Sequence, residues 1–413
     1  MNTFTIIFLS LLGLSLLIEL WLANRHIRHV MAHRDTVPEP FSGRITPEDH
    51  RKAADYTVAH TRFGRIEDVY GAVLLLFWTV GGGLEWIDHV WSGFGWGELA
   101  TGTAFMLSVF VIMGLLELPM SVYQTFVIEN RFGFNKITPG LFIADMFKKT
   151  LLLGILGAPL ILAALWLMQE TGALWWLYVW LLWSGFTLLL VWAYPTLIAP
   201  IFNKFTPLKE DSIRQRIQSL LERTGFRSRG IFVMDGSRRS AHGNAYFTGF
   251  GKSKRVVFFD TLLQHLGEKE IEAVLAHELG HFKRRHVIKR MILSFSMSLI
   301  GLAILGWLVT QSWFYAGLGI TQPSTHAALT LFMLIGPVFT FFLQPLIAWG
   351  SRRYEYEADS FAAEQTDAGE LVSALVKLYK ENASTLTPDP LHSAFYDSHP
   401  PAALRIAHLS GKN

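Results

Sequence analysis

The sequence of 413 residues contains no cysteine. That excludes disulfides, thiolate metal sites and cysteine nucleophiles, and leaves histidine, aspartate and glutamate as candidate metal ligands. Charge is scarce as well. Asp, Glu, Lys and Arg make up 17% of the chain against 51% hydrophobic residues, a balance too apolar for an ordinary water-soluble enzyme. The net charge of +3 comes without any basic tract interleaved with aromatics, so no nucleic-acid partner is expected. The stretch MNTFTIIFLSLLGLSLLIELWLANRH lacks a basic n-region and an A-x-A cleavage site, and reads as a retained membrane helix, not a removed signal peptide. Repeats of fixed period and low-complexity tracts are also absent from the sequence.

What is present in quantity is long apolar runs. A bilayer core of about 30 Å needs roughly 20 helical residues. Stretches near 3–23, 68–87, 103–124, 150–168, 173–198, 288–311 and 327–349 meet or approach that length. Basic residues orient them. Arg25, Arg28, Arg34, Arg44, Arg51, Lys52, Arg62 and Arg65 follow the first run, and Arg131, Lys136, Lys148 and Lys149 lie between the third and fourth. HVWSGFGWGELA, QETGA and TQSWFYAGLGITQPSTH have no Lys or Arg. The positive-inside rule then predicts an outside N-terminus and a cytoplasmic C-terminus.

The expected fold class is mainly α: a seven-transmembrane-helix membrane protein with a small cytoplasmic α+β domain of the zinc-metalloprotease, gluzincin-like kind. The chain divides into spans 1–5 with their cytoplasmic loops (1–202), a cytoplasmic core (203–286), a hairpin of spans 6 and 7 (287–350), and a C-terminal part of the catalytic domain (351–413). Within the core, DSIRQRIQSLLERTGF has helical periodicity. RGIFVMD, NAYFTGF and RVVFFD read as short strands, and EKEIEAVLAHELGHFKRRH as a helix.

That last helix carries the chemistry. Positions i and i+4 share a face, so His277 and His281 can point at one ion, and Glu278 can reach a water beside it. Zinc lowers the pKa of bound water, and a neighbouring carboxylate can take the proton as the water attacks a carbonyl carbon. The competing reading is a chance match on a surface helix. Gly280 between the histidines suits a close approach by another backbone.

The third ligand separates classes. The metzincin pattern would need a glycine at 284 and a histidine at 287, where the chain has Arg284 and Val287. His286 is out of phase and reads as an interfacial surface residue. SRRYEYEADSFAAE, just beyond the seventh run, offers Glu355 and Asp359 on one helical face, with Glu357 pointing elsewhere. Glu355 completes a His, His, Glu set and Asp359 orients a ligand histidine; the alternative is a solvated acidic face. The metal then lies at the membrane surface, because its ligands sit at the ends of the hairpin.

The chain resembles the type I CAAX prenyl endopeptidases, integral-membrane zinc metalloproteases. The resemblance runs through IENRFGFNKIT (128–138), YPTLIAPIFNKFTPL (194–208), HGNAYFTGFGKSKRVVFFDTLL (242–263), HELGH, RRYEYEADSFA and SHPPAALRIAHL (398–409). It implies one zinc ion per chain on His277, His281 and Glu355, with Glu278 as general base and Asp359 in support. It further implies that Asn244 and Ala245 contact a substrate backbone at an edge strand, and that His399 and Arg405 lie near the scissile carbonyl. Without the resemblance, a turn cap, a rigid loop residue and an interfacial anchor would be the plainer readings of Asn244, His399 and Arg405.

The implied partners are membrane lipid and a peptide or protein substrate prenylated at its C-terminus, whose last three residues are removed. The implied location is a bacterial inner membrane or the endoplasmic reticulum membrane. The family's chamber between its spans makes Glu117 an expected lining residue, with Glu19 and Glu85 nearer helix ends. GKS at 251–253 reads as a hairpin turn, since Tyr246 stands where a phosphate loop needs glycine. Three competitors remain: an HtpX-like quality-control protease, which has fewer spans; a zinc-braced scaffold, which would not need Glu278; and a transporter, which would need paired interrupted helices.

Overall fold

The computed structural model describes residues 2–226, 228, 230–248 and 255–411, so the turn expected at 251–253 lies outside the described residues. Among the described residues, six helices are long and apolar enough to cross a bilayer: Thr3–Ala32, Glu98–Phe132, Pro139–Glu170, Gly172–Phe202, His286–Leu308 and Thr325–Gln365. Pro47–Trp78 and Gly83–Ser92 are bent by 45° and make a seventh only if taken as one broken span. The break falls inside the run expected at 68–87. Three consecutive glycines, 81–83, follow Trp78, and Gly82 takes the left-handed φ of 79° at the start of the second piece. Glu85, on that second piece, accepts hydrogen bonds from the backbone N–H and the hydroxyl of Thr321. It ties the start of that piece to the loop before Thr325–Thr340.

Only 17–28% of the residues in the apolar windows of the six helices are buried, so most of that surface faces outward, as lipid contact requires. The core that does form joins Phe8, Trp78, Phe105, Leu165, Leu305 and Leu331 from six different helices.

The strands form a four-stranded sheet in the order β1 (Phe205–Pro207), β2 (Ile231–Met234), β4 (Arg255–Phe259), β3 (Ala245–Thr248). β2 and β4 run parallel, while β3 pairs antiparallel with β4 and, among the described residues, has no strand on its other side. β1, three residues long and holding Pro207, gives no alternating signal in the sequence; it exists because it pairs antiparallel with β2.

The sheet packs against the histidine helix, Glu268–Lys283, through Ile231, Val256, Phe258, Ile271, Leu275 and Leu279. The same core takes in Phe361, Ala362, Leu371 and Leu375 from beyond the last membrane run. Thus segments on either side of the 288–349 hairpin fold against each other.

The histidine helix also lies against the glutamate helix, Gln344–Gln365. At Gly280, a Cβ would stand 2.9 Å from Ala358 Cα and 3.0 Å from Ala358 O, closer than packed atoms tolerate. This is the close approach expected of that glycine. Gly280→Ala should therefore push apart two helices close to their metal-facing side chains, His281 one residue from Gly280 and Glu355 three from Ala358. Overpacking of this kind costs about 1–3 kcal/mol. The expected outcome is a lower unfolding midpoint and weaker metal retention, measured by thermal scan and chelator competition; a variant matching the parent in both would show that the contact is slack.

Candidate metal centre and active site

The histidine helix presents His277 and His281 on one face, one turn apart, toward Glu355 on the glutamate helix. His277 Nε2 and His281 Nε2 lie 3.3 Å apart. The Glu355 oxygens are 3.3 Å from His277 Nε2 and 3.4 Å from His281 Nε2. Donors bonded at about 2.0–2.1 Å around a tetrahedral centre stand roughly 3.3–3.4 Å from one another, so all three separations fit a shared cation. Glu355 is 2% exposed, and its Oε2 has no hydrogen-bond partner although it is buried. A buried carboxylate oxygen left so is costly unless a cation satisfies it. Among the described residues, these three are the group able to hold a metal ion.

The ring orientation of His277 is fixed from behind. Asp359 Oδ1 accepts from His277 Nδ1 at 2.8 Å, which leaves Nε2 as the nitrogen that faces the cluster. Asp359 is fully buried and is gripped by Arg405, whose Nε and Nη2 donate to its two oxygens at 2.8 and 2.6 Å. Two carboxylates against one guanidinium leave the pocket short of positive charge. Burial alone would lower the His277 pKa, but Asp359 and Glu355 outweigh it and raise it to about 9. His281, disfavoured by burial and by His277, falls to about 3. The site thus draws positive charge to itself and keeps one imidazole neutral.

Glu278 projects from the same helix into a cavity of about 350 Å³, whose walls include Asn244, Ala245, His277, His399 and Arg405. Burial pushes the Glu278 carboxyl above the usual range, with His277 opposing and Glu355 adding to the rise. His399, on the loop before Ala402–Leu409, brings Nε2 to 3.5 Å from Glu355 Oε1 while its side chain stays 62% exposed. Asn244 immediately precedes the edge strand β3, and its side-chain oxygen accepts from the N–H of Ala245 at 2.8 Å.

Of the residues expected on sequence grounds, Asn244, Ala245, His277, Glu278, His399 and Arg405 line one cavity, and His281, Glu355 and Asp359 adjoin it through their contacts with His277. Arg405 is the one whose surroundings differ, since its guanidinium is engaged by Asp359 and lies 3.4 Å from His277 Nδ1. It is not an interfacial anchor. His286, expected on the surface, is 1% exposed and packs flat on Tyr354, with ring centroids 4.3 Å apart. The helical phase failed there because the helix ends. Arg285 adopts a left-handed φ of 58°, and His286 starts a new helix pointing back toward the histidine pair.

A second group not singled out from the sequence holds the start of β3 in place. Asn382 Oδ1 accepts from the Gly243 N–H at 3.1 Å. His242 stacks on Phe134 with centroids 4.3 Å apart, and its Nε2 lies 3.5 Å from Glu129, which also accepts from Tyr56 at 2.8 Å. Glu129 and Phe134 belong to IENRFGFNKIT. That stretch of the membrane region thus abuts the strand expected to bind substrate.

Comparison with known proteins places this geometry. Residues 26–204 match the family described as CAAX prenyl protease N-terminal, five membrane helices, and residues 207–413 match peptidase family M48. A CAAX prenyl protease 1 homolog of Arabidopsis thaliana is 35% identical, covering 92% of this chain and 91% of the relative. The Homo sapiens CAAX prenyl protease 1 homolog is 31% identical, covering 95% and 92%. The crystal structure of S. mikatae Ste24p superposes with a TM-score of 0.92 at 30% identity, covering 99% of both chains. Two matched regions that together take in the membrane helices after the first and the histidine pair, and relatives aligned over nearly their whole length, lead to one conclusion: the chain belongs to peptidase family M48 and is a multi-pass membrane metalloendopeptidase.

Proposed function

We propose that this peptidase is a zinc enzyme that removes the C-terminal tripeptide from prenylated C-a-a-X proteins at the cytoplasmic face of its membrane. One observation carries the reading: the donors of His277, His281 and Glu355 converge, and His277 lines a cavity together with Glu278, His399 and the Asn244–Ala245 end of the edge strand. Two imidazoles and a carboxylate, spaced for a tetrahedral centre, suit zinc. When bound, the ion supplies Lewis-acid polarisation of the scissile carbonyl and lowers the pKa of water.

The protein's own groups do the rest. An extended substrate adds to the open edge of β3 by backbone hydrogen bonds, with the Asn244 side chain and the Ala245 backbone at its end. Glu278, with its raised affinity for protons, takes one from the attacking water. As the C–N bond breaks, it passes that proton to the leaving nitrogen. His399, exposed on the cavity wall, donates to the carbonyl oxygen as charge develops there. Arg405 holds Asp359, and Asp359 holds His277.

The same proposal extends to topology. Five membrane helices in the N-terminal matched region, with the two helices that follow residue 285, favour seven spans, and the excess of Lys and Arg in alternate loops favours a cytoplasmic catalytic side. Residues 203–286 and 351–413 then make one catalytic unit, joined by their common core. A prenyl chain prefers a bilayer, which suits a site mounted on the ends of membrane helices.

The test is release of the terminal tripeptide from a farnesylated C-a-a-X peptide and from its unprenylated twin, with and without a zinc chelator. Cleavage of the farnesylated peptide that stops on chelation and returns with zinc is expected. Equal cleavage of both peptides would remove the prenyl preference. No cleavage of either by zinc-loaded protein would defeat the substrate assignment.

A further inference from the structure

We infer that His286 and Glu357 form a positioning relay that orients His281 for metal binding, the counterpart of what Asp359 does for His277. The inference rests on the reading of His281 as a ligand. His281 Nδ1 lies 3.0 Å from His286 Nδ1, and His286 Nε2 lies 3.0 Å from Glu357 Oε2. Two ring nitrogens at 3.0 Å need one donor and one acceptor. A histidine that offers Nε2 to a metal carries its proton on Nδ1, so His281 is the donor and His286 the acceptor. That leaves the His286 proton on Nε2, where it is donated to the Glu357 carboxylate. The three groups admit this one consistent arrangement with neutral rings, and it points the His281 lone pair at His277 and Glu355.

The surrounding structure holds the relay rigid. His286 is 1% exposed, flat against Tyr354, and enters from a residue in the left-handed region, a conformation that a bulky side chain such as that of Arg285 rarely takes. Strain of that kind persists where the geometry it enforces has a use. Glu357 sits on the glutamate helix two residues from Glu355, on a different face, so one helix supplies the ligand and the support of the neighbouring ligand. At the outer end Arg353 Nε stands 3.6 Å from Glu357 Oε1. Each ligand histidine thus has its own carboxylate: Asp359 directly for His277, and Glu357 through His286 for His281.

A purely structural His286 would make a different demand. If it only filled the turn and stacked on Tyr354, phenylalanine would replace it well and asparagine poorly. The relay requires the reverse, since an asparagine side-chain oxygen can stand where Nδ1 accepts and phenylalanine has no acceptor. The experiment is zinc affinity of the purified full-length protein in detergent, by competition with a chelator of known affinity, for His286→Phe, His286→Asn, Glu357→Leu and His281→Ala. His286→Phe is expected to weaken zinc binding about 10–100-fold, the usual cost of losing such a partner. His286→Asn should stay close to the parent, and Glu357→Leu should shift affinity in the direction of His286→Phe. Glu357 is partly exposed, with 32% of its side chain accessible, so that variant tests the relay without disturbing a buried ring. Unchanged affinity in His286→Phe and Glu357→Leu, with loss in His281→Ala, would overturn the relay alone. Unchanged affinity in His281→Ala would overturn the ligand assignment and the relay with it.

Discussion

Glu278→Gln is expected to lower peptide turnover about 10²–10⁴-fold, the usual contribution of a positioned general base, while leaving bound metal in place. The substitution keeps the shape and volume of the side chain and removes only its ability to take a proton. Glu278 lines the cavity beside the metal cluster, and burial pushes its carboxyl above the usual range. A carboxylate so placed has more affinity for a proton than one in water, which suits a group that must accept one and give it up within a catalytic cycle. The metal donors themselves belong to His277, His281 and Glu355, so metal content and unfolding midpoint should match the parent. Steady-state cleavage with metal analysis on the same preparation checks both halves. A variant that keeps more than a tenth of its activity would remove Glu278 from the proton path. One that loses its metal would recast it as part of the metal cluster.

Much of this site is legible in the sequence because its parts are local. The i, i+4 spacing of His277 and His281 sets their common face, and the four-residue spacing of Glu355 and Asp359 does the same on the second helix. Strands β2, β3 and β4 show as short apolar runs, whereas β1 draws its identity from pairing with β2. Gly280 could be assigned a close contact, though not its partner Ala358. His286 departs from its helical phase because the helix does not continue: Arg285 turns the chain. The bend within the run at 68–87 carries no signal for a related reason: hydropathy continues across the three glycines while the helix axis does not. Contacts between distant segments carry no local pattern at all. Nothing in IENRFGFNKIT announces that Glu129 and Phe134 will hold His242, two residues before Asn244.

Arg405→Leu should cost about 3–5 kcal/mol of stability, the penalty for leaving a buried charge without its partner. Asp359 is fully buried, and both its oxygens accept from the Arg405 fork at 2.8 and 2.6 Å. Asp359 Oδ1 is also the atom that accepts from His277 at 2.8 Å. Removing the guanidinium therefore does two things: it strands a carboxylate away from water, and it frees the group that sets the His277 ring. The expected results are a markedly lower unfolding midpoint and weaker metal retention in detergent. Arg405→Lys should recover little, because an ammonium group offers a point charge where the site needs two parallel donors. The double replacement Asp359→Leu with Arg405→Leu separates the two effects. Removing both charges eliminates the stranded carboxylate, so the midpoint should rise above that of Arg405→Leu alone. Metal retention should stay low, because His277 has still lost the acceptor behind it. If the double variant instead regained metal affinity along with stability, the pair would be serving the fold of the two helices, and the orientation of His277 would have to come from elsewhere.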